Sequence, residues 1–159
     1  MAPSGAGREK SMRALGIDFG EKRIGLAVSD PDGRWALPLV TLERKTDRRA
    51  AYAIADIARR EGVGVLVLGE PLGGDGAAAL RVRRFGERLS RAARLPLVTV
   101  DEASTTCEAA ARLDEAGMDE ARFSPRRDAR RDAVAAQVIL QEALDRGLTA
   151  AAGDREVPE

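Results

Sequence analysis

The chain is 159 residues long, 44% apolar and 33% charged, which suits one ordinary hydrophobic core and excludes general disorder. Its 26 basic residues balance 26 acidic ones, which argues against a strongly basic, generic polyanion binder. Histidine is absent and cysteine occurs once, at Cys107, so histidine bases, Ser-His-Asp triads, histidine or cysteine zinc cages and internal disulfides are all excluded.

Residues 1–11 are polar and contain glycine, and they read as a flexible tail without the apolar segment of a signal peptide. No apolar run approaches the roughly 20 residues that cross a bilayer. A cytoplasmic protein without membrane contact is expected. Residues 13–20 form an apolar run that stops at Asp18 and Gly20, a buried strand ending in a turn. Residues 23–29 alternate with Ile24, Leu26 and Val28, and Pro31-Asp32-Gly33 is a turn before a third strand over 35–42. Three strands joined by tight turns make an antiparallel meander.

The pattern then becomes helical. Thr46 or Asp47 caps a helix running to about Arg60, with Tyr52, Ile54, Ile57 and Ala58 on one face. Residues 63–68 are almost wholly apolar, a strand covered on both faces. Residues 69–76 are a glycine-rich loop. Residues 77–94 are an amphipathic helix with Leu80, Phe85 and Leu89 inward and Arg81, Arg84, Arg88 and Arg91 outward. A fifth strand over 96–100, a helix over 104–116, a basic loop over 118–127 and a helix over 128–146 complete the fold, and 148–159 reads as a second flexible tail. The expected class is α/β: a mixed five-stranded sheet, three antiparallel strands then two crossover strands, flanked by helices in one domain over 12–147.

Acids fall where such sheets place their sites, at strand ends and adjoining loops. Asp18 ends the first strand, Asp101 and Glu102 follow the fifth, and Asp132 lies in the first turns of the last helix. Each alone has a plainer reading: a turn acid, a helix cap, or an acid favoured by a helix dipole. Together, beside apolar sequence, they would repel unless a cation neutralised them. Oxygen ligands suit Mg2+ or Mn2+, and two such ions about 4 Å apart hydrolyse phosphodiesters without histidine.

Gly16-Ile17-Asp18-Phe19-Gly20-Glu21-Lys22-Arg23-Ile24-Gly25-Leu26-Ala27-Val28-Ser29-Asp30 resembles the opening motif of the YqgF/RuvX family. Val67-Leu68-Gly69-Glu70-Pro71-Leu72 is similar to its central Gly-x-Pro-Leu segment, Asp101-Glu102-Ala103-Ser104-Thr105-Thr106 to its Asp-Glu-Arg-x-Thr-Thr motif, and Asp132-Ala133-Val134-Ala135-Ala136 to its last helix. The resemblance spans residues 13–144. It implies an RNase H-like fold and a metal-dependent endonuclease with Asp18, Glu102 and Asp132 as catalytic, metal-binding acids. Branched DNA (Holliday junctions) or the 5' end of the pre-16S rRNA would be its substrate.

Ala103 stands where the family has arginine, and Arg126 or Arg127 is a candidate replacement. Glu70 replaces an apolar residue and is either a fourth ligand, a substitute for Glu102 or a solvated loop acid. Lys22, Arg23, Thr105, Thr106 and Arg127 are candidate nucleic-acid contacts, the threonines because a helix start favours anions. The competing readings are a non-catalytic nucleic-acid or ribosome-assembly module of the same fold, and an actin-like phosphotransferase, for which one domain is too few. A resolvase would act as a two-fold homodimer.

Overall fold

The computed structural model describes residues 12–71, 76–101, 107–117 and 127–152, the side chains at 107, 108 and 127–132 excepted. In chain order the elements are β1 (Arg13–Phe19), β2 (Arg23–Ser29), β3 (Ala36–Glu43), α1 (Asp47–Arg60), β4 (Val63–Glu70), α2 (Gly76–Ala93), β5 (Leu97–Asp101), α3 (Cys107–Glu115), α4 (Arg127–Asp145) and α5 (Leu148–Ala152). The strands form one sheet in the order β3-β2-β1-β4-β5, antiparallel from β3 to β1 and parallel from β1 to β5. This is the expected mixed sheet, and it puts β1 at the centre.

Alternate residues of each strand serve opposite faces. Leu15 and Ile17 of β1, with Leu66 and Leu68 of β4, pack on Ile54 of α1 and on Phe85 and Leu89 of α2. Ala14, Val65 and Val67 pack the other way, on Ala136, Ile139 and Leu140 of α4. The strands covered on both faces are the ones whose sequence is continuously apolar.

Two glycines let α4 lie close to the sheet. A Cβ at Gly16 would come within 2.6 Å of the Leu140 Cβ and 2.8 Å of the Ala136 carbonyl oxygen, and one at Gly69 within 2.5 Å of the Ile139 Cδ1. Two buried glutamines on α4 fix its position along the sheet. The Gln137 amide donates to the Ala36 carbonyl at 2.9 Å, while the Gln141 side-chain oxygen accepts from the Ala36 N–H at 2.9 Å and its amide donates to the Arg34 carbonyl at 3.0 Å. Removing one partner of such a buried bond costs about 1–3 kcal/mol.

The cap of α1 is Thr46, whose hydroxyl oxygen accepts from the Arg49 N–H at 3.1 Å. Four expectations need correction. Tyr52 is 60% exposed, because Ala51, Ile54 and Ala58 define the buried stripe and Tyr52 lies about 100° round from Ala51. Leu80 is 47% exposed for the same reason, since Ala79, Val82, Phe85, Gly86 and Leu89 form the inner face of α2. Gly69 and Glu70 are strand residues rather than loop, paired with Val100 and Asp101. The segment after 147 begins with the helix α5, whose Ala152 is fully buried against the α4 side of the sheet.

Candidate active site

Three acids end three neighbouring strands, but they do not share a face. Asp18 follows Ala14 and Gly16 in parity, so it lies on the α4 face, half-buried. It sits between two glycines. Gly25 is its partner on β2, and on β4 the residue one beyond the Ile17–Leu68 pair is Gly69. At the level of Asp18, neither neighbouring strand carries a side chain. Asp132 lies in α4, four residues and so about one turn before Ala136, whose carbonyl oxygen abuts Gly16.

Glu70 and Asp101 are register partners, and both take the opposite parity, that of Leu68 and Leu97 on the α2 side. The Glu70 carboxylate, 18% exposed, accepts from the Arg83 Nε of α2 at 3.3 Å. Glu70 is therefore paired with Arg83 on the face opposite that of Asp18. Arg23 shares the parity of Gly25 and Ala27, on the same face as Asp18 at the same end of the sheet, and is exposed there. Lys22 is exposed on the turn between β1 and β2. Glu102, Thr105, Thr106, Ala103 and Arg126 lie outside the described residues, as do the side chains of Asp132 and Arg127. Among the described residues no three acidic or cysteine side chains meet to hold a metal ion, and two of the three expected ligands are not in that set. The residues present fit a hard cation in one respect: Asp18 offers carboxylate oxygens beside side-chain-free positions, facing the helix that carries Asp132.

Sequence reading missed what holds the end of β1. Arg44, only 12% exposed, donates from Nη1 to the carbonyls of Gly20 and Glu21 at 3.3 Å and from Nε to Asp47 at 3.0 Å. Its guanidinium carbon lies 4.3 Å from the centre of the Phe19 ring, which stacks on Phe85 at 4.1 Å. The turn itself closes with the Gly20 N–H donating to the Arg23 carbonyl at 2.9 Å, and a Cβ at Gly20 would meet that carbonyl at 2.6 Å. Nothing in the sequence separates Arg44 from the other arginines. Gln137 and Gln141 did leave a signal, as polar residues four apart on the apolar stripe of α4.

Residues 12–146 match the family described as RuvX, Holliday junction resolvase. The chain belongs to the RuvX family. It is accordingly a hydrolase of phosphodiester bonds on an RNase H-like fold. A relative from Maridesulfovibrio salexigens, named "Putative pre-16S rRNA nuclease", is 39% identical over 138 residues, which are 85% of this chain and 99% of that one. One of the same name from an Anaeromyxobacter species is 44% identical over 138 residues, 84% of this chain and 97% of its own. The fold is similar to that of T. thermophilus RuvC in complex with a Holliday junction substrate, with a TM-score of 0.62 at 17% identity over 89% of this chain and 98% of that one. At that identity the likeness concerns the fold alone. No helix among the described residues is long and apolar enough to cross a membrane.

Proposed function

We propose that this RuvX-family chain cleaves nucleic acid with Asp18, Glu102 and Asp132 as its catalytic, metal-holding acids, and that precursor 16S rRNA is its substrate. The observation that carries the assignment is the position of Asp18: it ends the central strand on the α4 face, between Gly25 and Gly69. Glu102 rests on the motif that follows β5 in the sequence, whereas Asp101 has the parity of Leu97. Asp132 is one turn from the part of α4 that abuts Gly16.

When bound, Mg2+ or Mn2+ at these acids, in a two-ion site, would supply an activated water and charge neutralisation at the scissile phosphate. The chain's own part is to hold the acids. Arg44 ties down the turn after Asp18, and the two glutamines fix α4 along the sheet. Arg23 and Lys22 stand at the same end of the sheet, exposed and placed to meet a phosphate. Arg127, Thr105 and Thr106 complete the proposed contacts from sequence. The ribosomal precursor is favoured because the 39% and 44% identical relatives are named for it, whereas the likeness to RuvC is of fold. A cytoplasmic location fits that substrate.

The test is cleavage of labelled 16S precursor and labelled branched DNA, each with Mg2+ and Mn2+, by wild type and Asp18→Asn. Metal-dependent cutting of the precursor that the variant loses supports the proposal. Preferential cutting of the junction moves the substrate to branched DNA and makes a two-fold dimer the expected form. Absence of cutting on both would favour a binding module.

A further inference from the structure

The helices on the face away from α4 carry a charge the whole chain does not. Between them α1 and α2 hold nine arginines against three acids, in a chain of zero net charge. A general arginine bias would spread cations but would not leave them without partners. Arg59 and Arg60 are paired with Asp56, and Arg83 with Glu70. Arg48, Arg81, Arg84, Arg88 and Arg91 make no ion pair among the described residues and are exposed.

Their placement is ordered. Positions 81, 84, 88 and 91 recur at helical spacing, so they form one stripe roughly 15 Å long on α2. At its start Arg81 lines a hollow of about 90 Å3 together with Gly20 and Glu21, just beyond Asp18 in the chain. At its far end Arg88 and Arg91 face Arg48 and Tyr52 across an open groove of about 510 Å3 between the two helices. Tyr52 is one of five aromatic residues in the chain, and it is 60% exposed where a core position was expected. The Arg48 guanidinium carbon lies 5.9 Å from its ring centre.

We infer that the groove between α1 and α2 is a docking channel for single-stranded nucleic acid. Arg48, Arg88 and Arg91 take its phosphates and Tyr52 stacks on an unpaired base. An exposed ring beside phosphate-binding cations is the combination that selects single strands, because paired bases offer no free face. On the reading that Asp18 marks the cleavage site, Arg84 and Arg81 carry the same strand along α2 towards it. A second copy of the chain is a poorer occupant, since a symmetric pairing through this face would set like charges against each other.

The test is anisotropy of a labelled single-stranded RNA oligonucleotide with the full chain in EDTA, which separates binding from cleavage. Arg88→Gln/Arg91→Gln is expected to weaken binding about tenfold and to lower the slope of log K against log salt by about 1.4. Tyr52→Ala is expected to cost about fivefold or more. Arg34→Gln, an exposed arginine of the β2–β3 turn, is expected to bind as wild type. Asp18→Asn is expected to bind as wild type while losing cleavage, so failure of the proposed activity and failure of the channel give different results. The channel is overturned if the double variant binds within about twofold of wild type, or if Arg34→Gln loses as much. It is also overturned if unlabelled duplex competes as well as single strand, or if sedimentation shows a dimer that the double variant dissolves.

Discussion

The two faces of the sheet treat their strand-end acids differently. On the α4 side Asp18 stands between two glycines, facing the helix that bears Asp132. On the α2 side Glu70 and Asp101 stand side by side at the ends of β4 and β5, and Glu70 is engaged by Arg83. All three acids are close in sequence to apolar strands, and all three end strands at the same edge. One residue of parity separates an acid on the α4 face from an acid on the α2 face. A carboxylate at a strand end is therefore a candidate only once its face is known.

The comparison can be broken most directly at the acids. Asp18→Asn and Glu102→Gln are each expected to lower metal-dependent cleavage about a thousandfold, equivalent to about 4 kcal/mol of transition-state stabilisation. Single-turnover rates on the precursor would show it. A far smaller loss at Asp18 would mean that the α4 face is not the reacting one. Gly16→Ala tests the scaffold of that face. Its new methyl would meet Leu140 and the Ala136 carbonyl. Overpacking of this kind costs about 1–3 kcal/mol and should lower the melting temperature by roughly 2–4 °C for each. Cleavage should fall as well, because α4 carries Asp132.

Arg44→Ala should cost about 1–2 kcal/mol, since two turn carbonyls and Asp47 lose a charged donor. Thermal melting checks the stability and the cleavage rate checks whether the turn positions Asp18. The smallest effect is expected at Glu70→Gln, which removes one partly exposed ion pair worth about 0–1 kcal/mol and should change the cleavage rate less than about twofold. A loss comparable to that of Asp18→Asn would bring Glu70 back as a ligand.

Sequence alone determined the element order as far as α4, the mixed sheet and the position of Asp18 at the end of β1. These rest on local patterns: alternation, continuous apolar runs, and turns punctuated by Gly and Pro. The resemblance in the opening motif identified the family that residues 12–146 match. Tertiary structure alone decided which acids share a face, because parity depends on where each strand stops, and β4 and β5 run on to Glu70 and Asp101. It also singled out Arg44 among the arginines, turned Tyr52 outward and gathered unpaired cations beside it. Those outcomes depend on contacts between residues distant in the chain, which a local pattern does not encode.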